Sequence, residues 1–282
     1  MSSVGIIYNA RIPEALDLGT AILHQLPLPD DSWISPAENL EALRQRAENT
    51  GLVITVGGDG TILRAVQVTA PTGIPVVGIN MGRLGFMTEL QVDEALEKLP
   101  IYLAGQCRVE ERYMLQATLT KGQNGGGQVS GPYHALNDVV LARGAVSRVV
   151  TITGYVDGAQ LTTFRADAVI LSTATGSTGY NLAVGGPILD PASDLLVLKP
   201  VAAHMGLTPG LVLPPTAEVC LSLEGFQQAI LSVDGYVDYP MEPGDQVVVK
   251  QSPYRAKFLR ANPANHFYAT LTRRLGFSIR GQ

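Results

Sequence analysis

Leu52-Val53-Ile54-Thr55-Val56 runs directly into Gly57-Gly58-Asp59-Gly60-Thr61. An apolar run of this length, broken only by Thr55, suits a strand buried on both faces, the kind found inside parallel sheets. The glycines that follow lack Cβ atoms, so the chain can turn sharply and bring backbone N–H groups against a charged ligand. Thr61 is expected to open a helix over residues 61–68, whose N-terminus favours an anion. Strand, phosphate-cradling loop and helix are thus expected in succession. Asp59 is the anomaly. A carboxylate in such a turn repels phosphate unless it binds a metal, pairs with a cation or takes a proton from a substrate hydroxyl. A tight strand-to-helix turn with Asp59 as helix N-cap is the purely structural alternative.

Outward from this loop, short Val- and Ile-rich runs at 4–8, 52–56 and 75–79 alternate with helical-looking segments around 14–25, 36–49 and 61–70. Such alternation implies a parallel sheet with crossover helices. Ligands of these sheets gather beyond the carboxyl ends of the strands, where the Gly57–Thr61 loop and the stretch Asn80-Met81-Gly82-Arg83-Leu84-Gly85 are both expected. One more short helix is expected over 92–99. After Pro100 the texture changes to alternating runs at 113–120, 139–142 and 149–156, separated by glycine-rich turns such as 121–131. That pattern predicts a mostly antiparallel second domain. The expected fold is therefore α/β plus all-β: a Rossmann-like domain over 1–100, a β-rich, sandwich-like domain over 101–252, and a segment 253–282, with aromatic residues at 267–277, packing back on the first.

With 282 residues, 46% of them hydrophobic, the chain can build two real cores. A net charge of −5 with only 16% charged residues gives no footprint for nucleic acid and no basic face for an anionic membrane. No cationic segment precedes the apolar residues at the start, and residues 200–217 are broken by Pro200, Pro209, Pro214 and Pro215, so a cytoplasmic protein without membrane spans is expected. Cys107 and Cys220 have no ligand spacing and read as free thiols. His24, His134, His204 and His266 form no spaced cluster and receive no role, and no metal-ligating residues are assigned.

A second glycine-rich stretch, Thr173-Ala174-Thr175-Gly176-Ser177-Thr178-Gly179-Tyr180-Asn181, follows the apolar run at 168–171. The hydroxyls of Thr175, Ser177 and Thr178 can meet phosphate and ribose groups, and Tyr180 offers a flat surface for a base. A Ser/Thr-capped helix beginning near Tyr180 is the plainer alternative. Asn137-Asp138 precedes one apolar run, and Arg165 and Asp167 precede another. Polar groups so placed are costly unless paired or facing a ligand. A buried Arg165–Asp167 or Arg165–Asp138 ion pair is the alternative to a ligand site. The chain has no GxxxxGK[ST], no GxGxxG after its first strand and no GxSxG, which argues against P-loop, nicotinamide hydride-transfer and serine-hydrolase chemistry. A loop with one acidic residue and a hydroxyl-rich site suit phosphoryl transfer to an alcohol.

Six ordered blocks resemble the NAD kinase family: Gly57–Thr61, Gly78–Glu89, Leu136–Val140, Phe164–Asp167, Gly176–Asn181 and Leu231–Gly235. The first block alone is shared with lipid kinases. The resemblance implies Mg-dependent transfer of the ATP γ-phosphoryl group to the 2′-hydroxyl of the adenosine ribose of NAD, with NAD and ATP as the partners and a homodimer or homotetramer as the assembly. It implies Asp59 as the base that orients the hydroxyl, and Gly57, Gly58, Gly60, Thr61 and Arg64 about the phosphates. Asn137, Asp138, Arg165, Asp167, Thr178, Gly179, Tyr180, Asn181, Leu182, Ala183 and Ala202 would line the NAD site. Two departures stand out: Asp138 where the family more often has Glu, and Pro209-Gly210 where it usually has Arg-Pro. A lipid or sphingoid kinase and a non-catalytic NAD(P) sensor are the competing expectations.

Overall fold

In a computed structural model, which describes residues 2–82, 85–122, 126–145 and 148–276, the run around Val53 forms the third strand of a parallel sheet. Arg83, Leu84, part of the turn expected at 121–131, and Phe277 lie outside the described residues. The sheet begins with β1 (Ser3–Tyr8), β2 (Trp33–Pro36), β3 (Thr50–Gly57) and β4 (Val76–Asn80), in the order β2-β1-β3-β4 and with every neighbour parallel. Each crossover carries a helix: α1 (Pro13–Gln25), α2 (Leu40–Ala47) and α3 (Asp59–Thr72). Helices cover both faces, which is why β3 is apolar over 52–56 apart from the buried Thr55. Ile54 and Val56 pack with Ala15 and Ile22 of α1, while Val53 packs with Leu43 of α2 and Ala65 and Val68 of α3. Pro36 ends an edge strand that the composition did not announce, and α2 is correspondingly shorter than the segment expected at 36–49. Gly73, with φ of 71°, closes α3 in the left-handed conformation that favours glycine.

After β5 (Leu90–Gln91), α4 (Ala95–Leu103) passes through Pro100, because Leu99 and Tyr102 on either side of it are both buried in the core. The change of texture at Pro100 therefore does not coincide with a break in the fold. Residues 1–111 and 256–282 form one unit and 112–255 the other. The first unit is completed by β6 (Arg108–Arg112) and by a strand from the far end of the chain, Ala256–Arg260, which inserts between β4 and β6 and runs parallel to β4.

The second unit contains β7 (Leu115–Thr120), β8 (Val129–Ala135), β9 (Asp138–Arg143), β10 (Val150–Val156), β11 (Ala159–Ala166), β12 (Ala168–Thr173), β13 (Leu196–Val201), β14 (Leu211–Leu213), β15 (Val219–Glu224), β16 (Ala229–Val233), β17 (Val237–Met241) and β18 (Gln246–Gln251). They form two six-stranded antiparallel sheets, ordered β11-β10-β15-β18-β7-β8 and β14-β13-β12-β9-β16-β17. Leu115, Ile152, Phe164 and Leu221 from one sheet share a core with Leu141, Leu171, Leu198 and Leu231 from the other. The chain changes sheets at Asp167, between β11 and β12. The other face of β12 is covered too, where Ile170 and Ala168 meet Val184. Among the described residues no helix is long and apolar enough to cross a membrane.

Phe164 is fully buried within this core. Phe164→Ala should lower the free energy of unfolding by about 3–5 kcal/mol, measured by urea denaturation; a loss under about 1 kcal/mol would show that the two sheets do not share one packed interior.

Candidate active site

Gly58, at the carboxyl end of β3, is the N-cap of α3, and Asp59 is its first residue. The helix thus starts two positions before Thr61, and Asp59 does not cap it. Its carboxylate reaches instead to a second loop, where Oδ2 accepts the Phe86 N–H at 2.8 Å and Oδ1 accepts the Met87 N–H at 3.1 Å. A Cβ on Gly85 would overlap that carboxylate, so glycine is required there by close approach. Gly57 is required for the same kind of reason, since a Cβ would overlap the buried Thr61 side chain. Gly58 and Gly60 differ. No heavy atom lies within 4 Å of where their Cβ atoms would stand, and neither has positive φ. Neither strain nor neighbouring protein atoms demand glycine at these two positions, which leaves open space beside the N–H end of α3. Arg64 follows on the same helix, half-buried.

In the second unit the segment Leu136-Asn137-Asp138 is held from two sides. Asp234, with φ of 51°, accepts all three of its backbone N–H groups: Leu136 at 2.9 Å, Asn137 at 2.8 Å and Asp138 at 3.1 Å. Thr173 holds the carbonyls, donating its hydroxyl to Leu136 O at 2.6 Å and its N–H to Asn137 O at 2.9 Å. Gly176 lies so close to the Asn137 backbone that any Cβ would overlap it. Asp234 lies in the segment Leu231–Gly235, where nothing in the sequence marks its role. Its partners lie 96 to 98 residues away, and no local pattern signals such a contact.

Asn137, Asp138 and Tyr180 line a cavity of 520 Å³ together with Arg143, Asp234 and Asp238. Burial, and then the nearby charge of Asp234, push the Asp138 carboxyl up to about 7. Burial raises Asp234 to about 6, opposed by the three N–H groups that it accepts.

Other expected residues have different surroundings. Asp167 pairs with Arg143 at 3.0 Å, so neither anticipated Arg165 ion pair forms, and the Arg165 side chain is exposed. The hydroxyls of the second glycine-rich stretch have protein partners: Ser177 donates to Ala174 O and accepts the Leu189 N–H, Thr178 donates to Thr175 O, and Thr175 accepts from Arg112. The short helix Tyr180–Ala183 has Gly179 as N-cap with no side-chain cap, so the alternative of a Ser/Thr-capped helix does not hold. Asn181 is fully buried and donates to Ser177 O and Pro187 O. Tyr180 and Ala183 are exposed, Leu182 is half-buried, and exposed Ala202 holds a φ of 46° that a non-glycine residue adopts only at a cost. Cys107 and Cys220 are free and half-buried.

The Asp138–Asp234 pair generates a pH prediction. Both carboxyls sit above the ordinary value of about 3.9, so their contribution to stability is complete below about pH 4 and is lost as the pH rises through about 6 and 7. Asp138→Asn carries no charge to desolvate. Urea unfolding at about pH 5 and pH 8 should show the variant gaining on the native protein as pH rises; a constant difference would contradict the shifts.

Residues 25–107 match the ATP-NAD kinase N-terminal domain, and residues 136–261 match the ATP-NAD kinase C-terminal domain. An NAD kinase of Dehalococcoides mccartyi (strain CBDB1) is 38% identical over 273 residues, covering 96% of this chain and 95% of its own. One of Chloroflexus aurantiacus is 43% identical over 224 residues, 79% of this chain and 80% of its own. The crystal structure of yeast NADH kinase complexed with NADH superposes with a TM-score of 0.83 at 25% identity, covering 100% of this chain and 90% of that one. An NAD kinase from Archaeoglobus fulgidus in complex with ATP shares the fold, with a TM-score of 0.76 at 21% identity over 98% of this chain and 100% of that one. Two domain matches in the right order, and relatives alike over nearly their whole length, establish that the chain belongs to the NAD kinase family of phosphotransferases.

Proposed function

We propose that the chain transfers the γ-phosphoryl group of Mg-ATP to the 2′-oxygen of the adenosine ribose of NAD, giving NADP and ADP. A bond forms between that oxygen and the γ-phosphorus, the bond to the bridging oxygen of ADP breaks, and the hydroxyl proton leaves toward Asp59. The observation that carries the assignment is the open space at Gly58 and Gly60 beside the start of α3, with the Asp59 carboxylate fixed at the same helix end. Phosphate oxygens fit against the free N–H groups of such a helix end, and a positioned carboxylate suits an alcohol acceptor. The divalent ion of this proposal would be carried in on the nucleotide phosphates. Bound there, the metal would neutralise phosphate charge as the bond breaks.

For NAD, the best-supported contacts are Asn137, Asp138 and Tyr180, which share one cavity. Arg165, Asp167, Thr178, Gly179, Leu182, Ala183 and Ala202 extend the proposed surface. Asn181 and the hydroxyls of Thr175 and Ser177 act indirectly, by shaping the turn that bears Tyr180. With one methylene fewer than Glu, Asp138 has a shorter reach, which a bridging water or a shifted ligand would accommodate. A homodimer or homotetramer is the assembly the family resemblance favours.

Purified protein given NAD, ATP and Mg²⁺ should form NADP, and Asp59→Asn should lower kcat by about 10²–10⁴-fold with NAD affinity largely kept. Equal turnover by the variant would remove Asp59 from the chemistry. Gly58→Ala and Gly60→Ala should leave the unfolding midpoint nearly unchanged, since each Cβ meets nothing, yet raise the KM for ATP. Unchanged kinetics in both would show that no ligand comes against the loop.

A further inference from the structure

The Phe86-Met87 peptide is gripped on both sides. Its N–H groups go to Asp59, as described, and its carbonyls go to two arginines from the far end of the chain. Arg260 donates to Met87 O at 2.9 Å, and Arg274 donates to Phe86 O at 3.3 Å with its guanidinium 5.5 Å from the Phe86 ring centre. Arg260 is buried on the strand Ala256–Arg260 and is fixed by two carboxylates, Glu89 and Glu110, each at 3.2 Å. Glu89, whose side chain is 5% exposed, is itself a junction. One oxygen faces Arg260, while the other accepts from Tyr102 OH and from the Ala261 and Asn262 N–H groups.

A buried ion pair of this kind is weak evidence for stability, because desolvation of both charges offsets their attraction. Its geometry is better suited to fixing a position. With the loop's carbonyls pinned by guanidinium groups and its amides directed at a carboxylate, Asp59 is left one orientation, and two oxygen lone-pair sites remain for a substrate hydroxyl. We infer that Arg260 and Glu89 are positioning residues for Asp59, so that a C-terminal strand sets the aim of a carboxylate some two hundred residues earlier in the chain. This rests on the phosphotransfer reaction proposed above and adds to it the residues that hold its base.

Arg260→Lys keeps the charge but loses the planar fork that reaches Met87 O and both carboxylates at once. Glu89→Gln keeps an oxygen for the Ala261 and Asn262 amides but turns an NH₂ group against Arg260. NADP formation should be followed for the native protein, these two variants, Asp59→Asn and the Asp59→Asn/Arg260→Lys double variant, with an unfolding midpoint for each. Both single variants should lose about 10- to 100-fold in kcat with the KM for NAD and ATP kept within about twofold, and the double variant should turn over no more slowly than Asp59→Asn alone. Unchanged kcat in a folded Arg260→Lys protein, or a further loss of the same size on the Asp59→Asn background, would overturn the inference. If Arg260→Lys fails to fold, Glu89→Gln carries the same test through the partner carboxylate; unchanged kcat there would equally overturn it. An inactive native protein is a distinct result, which would remove the kinase assignment and this inference together.

Discussion

Backbone amides that belong to no helix or strand ladder must still find an acceptor, and at the two loops that matter most here the acceptor is an aspartate. Asp59 takes the N–H groups of Phe86 and Met87, and Asp234 takes those of Leu136, Asn137 and Asp138. Charge-assisted bonds of this kind are roughly twice as strong as neutral ones and are directional. Each aspartate therefore fixes a stretch of irregular chain, and each stretch carries or adjoins the polar groups assigned to substrate. The cost is plainest at Asp234, which is almost fully buried, holds a left-handed backbone and lies near a second buried carboxyl. Such a site persists because the surrounding sheet and the three N–H groups hold it in place.

The roles of the glycines separate along the same lines. Gly57, Gly85 and Gly176 are glycines because protein atoms occupy the place of a side chain, whereas Gly58 and Gly60 face emptiness. Only the second kind points toward a ligand. The hydroxyl-rich turn behaves oppositely to its composition: Ser177 and Thr178 donate their hydroxyls within the turn and Thr175 accepts from Arg112, while Tyr180 lines the cavity.

Much of the fold was legible because its signals are local. An apolar run before a glycine loop predicts a buried parallel strand, and the alternating runs at 113–120, 139–142 and 149–156 predict antiparallel pairing; both are observed. What escaped depends on contacts far apart in sequence. Arg260 and Glu89 are separated by 171 residues, and nothing near Arg260 distinguishes it from a solvated strand end. The insertion of its strand beside β4 was likewise invisible, since a parallel pairing leaves no hairpin signal. Asp167 found Arg143 rather than Arg165 because β9 pairs with β12, which brings Ala142 opposite Ala168, whereas Arg165 lies across from Thr151 in the other sheet. α3 starts at Asp59, two residues before Thr61, because Gly58 rather than a side chain sits at its N-cap and Asp59 serves a distant loop.

In the proposed reaction the Asp59 end of α3 directs phosphoryl transfer to one particular oxygen. The most direct test is to identify the product made from NAD and Mg-ATP by mass and by phosphorus NMR. One added phosphoryl group, on the 2′-oxygen of the adenosine ribose, is the predicted result. Recovery of unmodified NAD, or a phosphoryl group on any other oxygen, would contradict it.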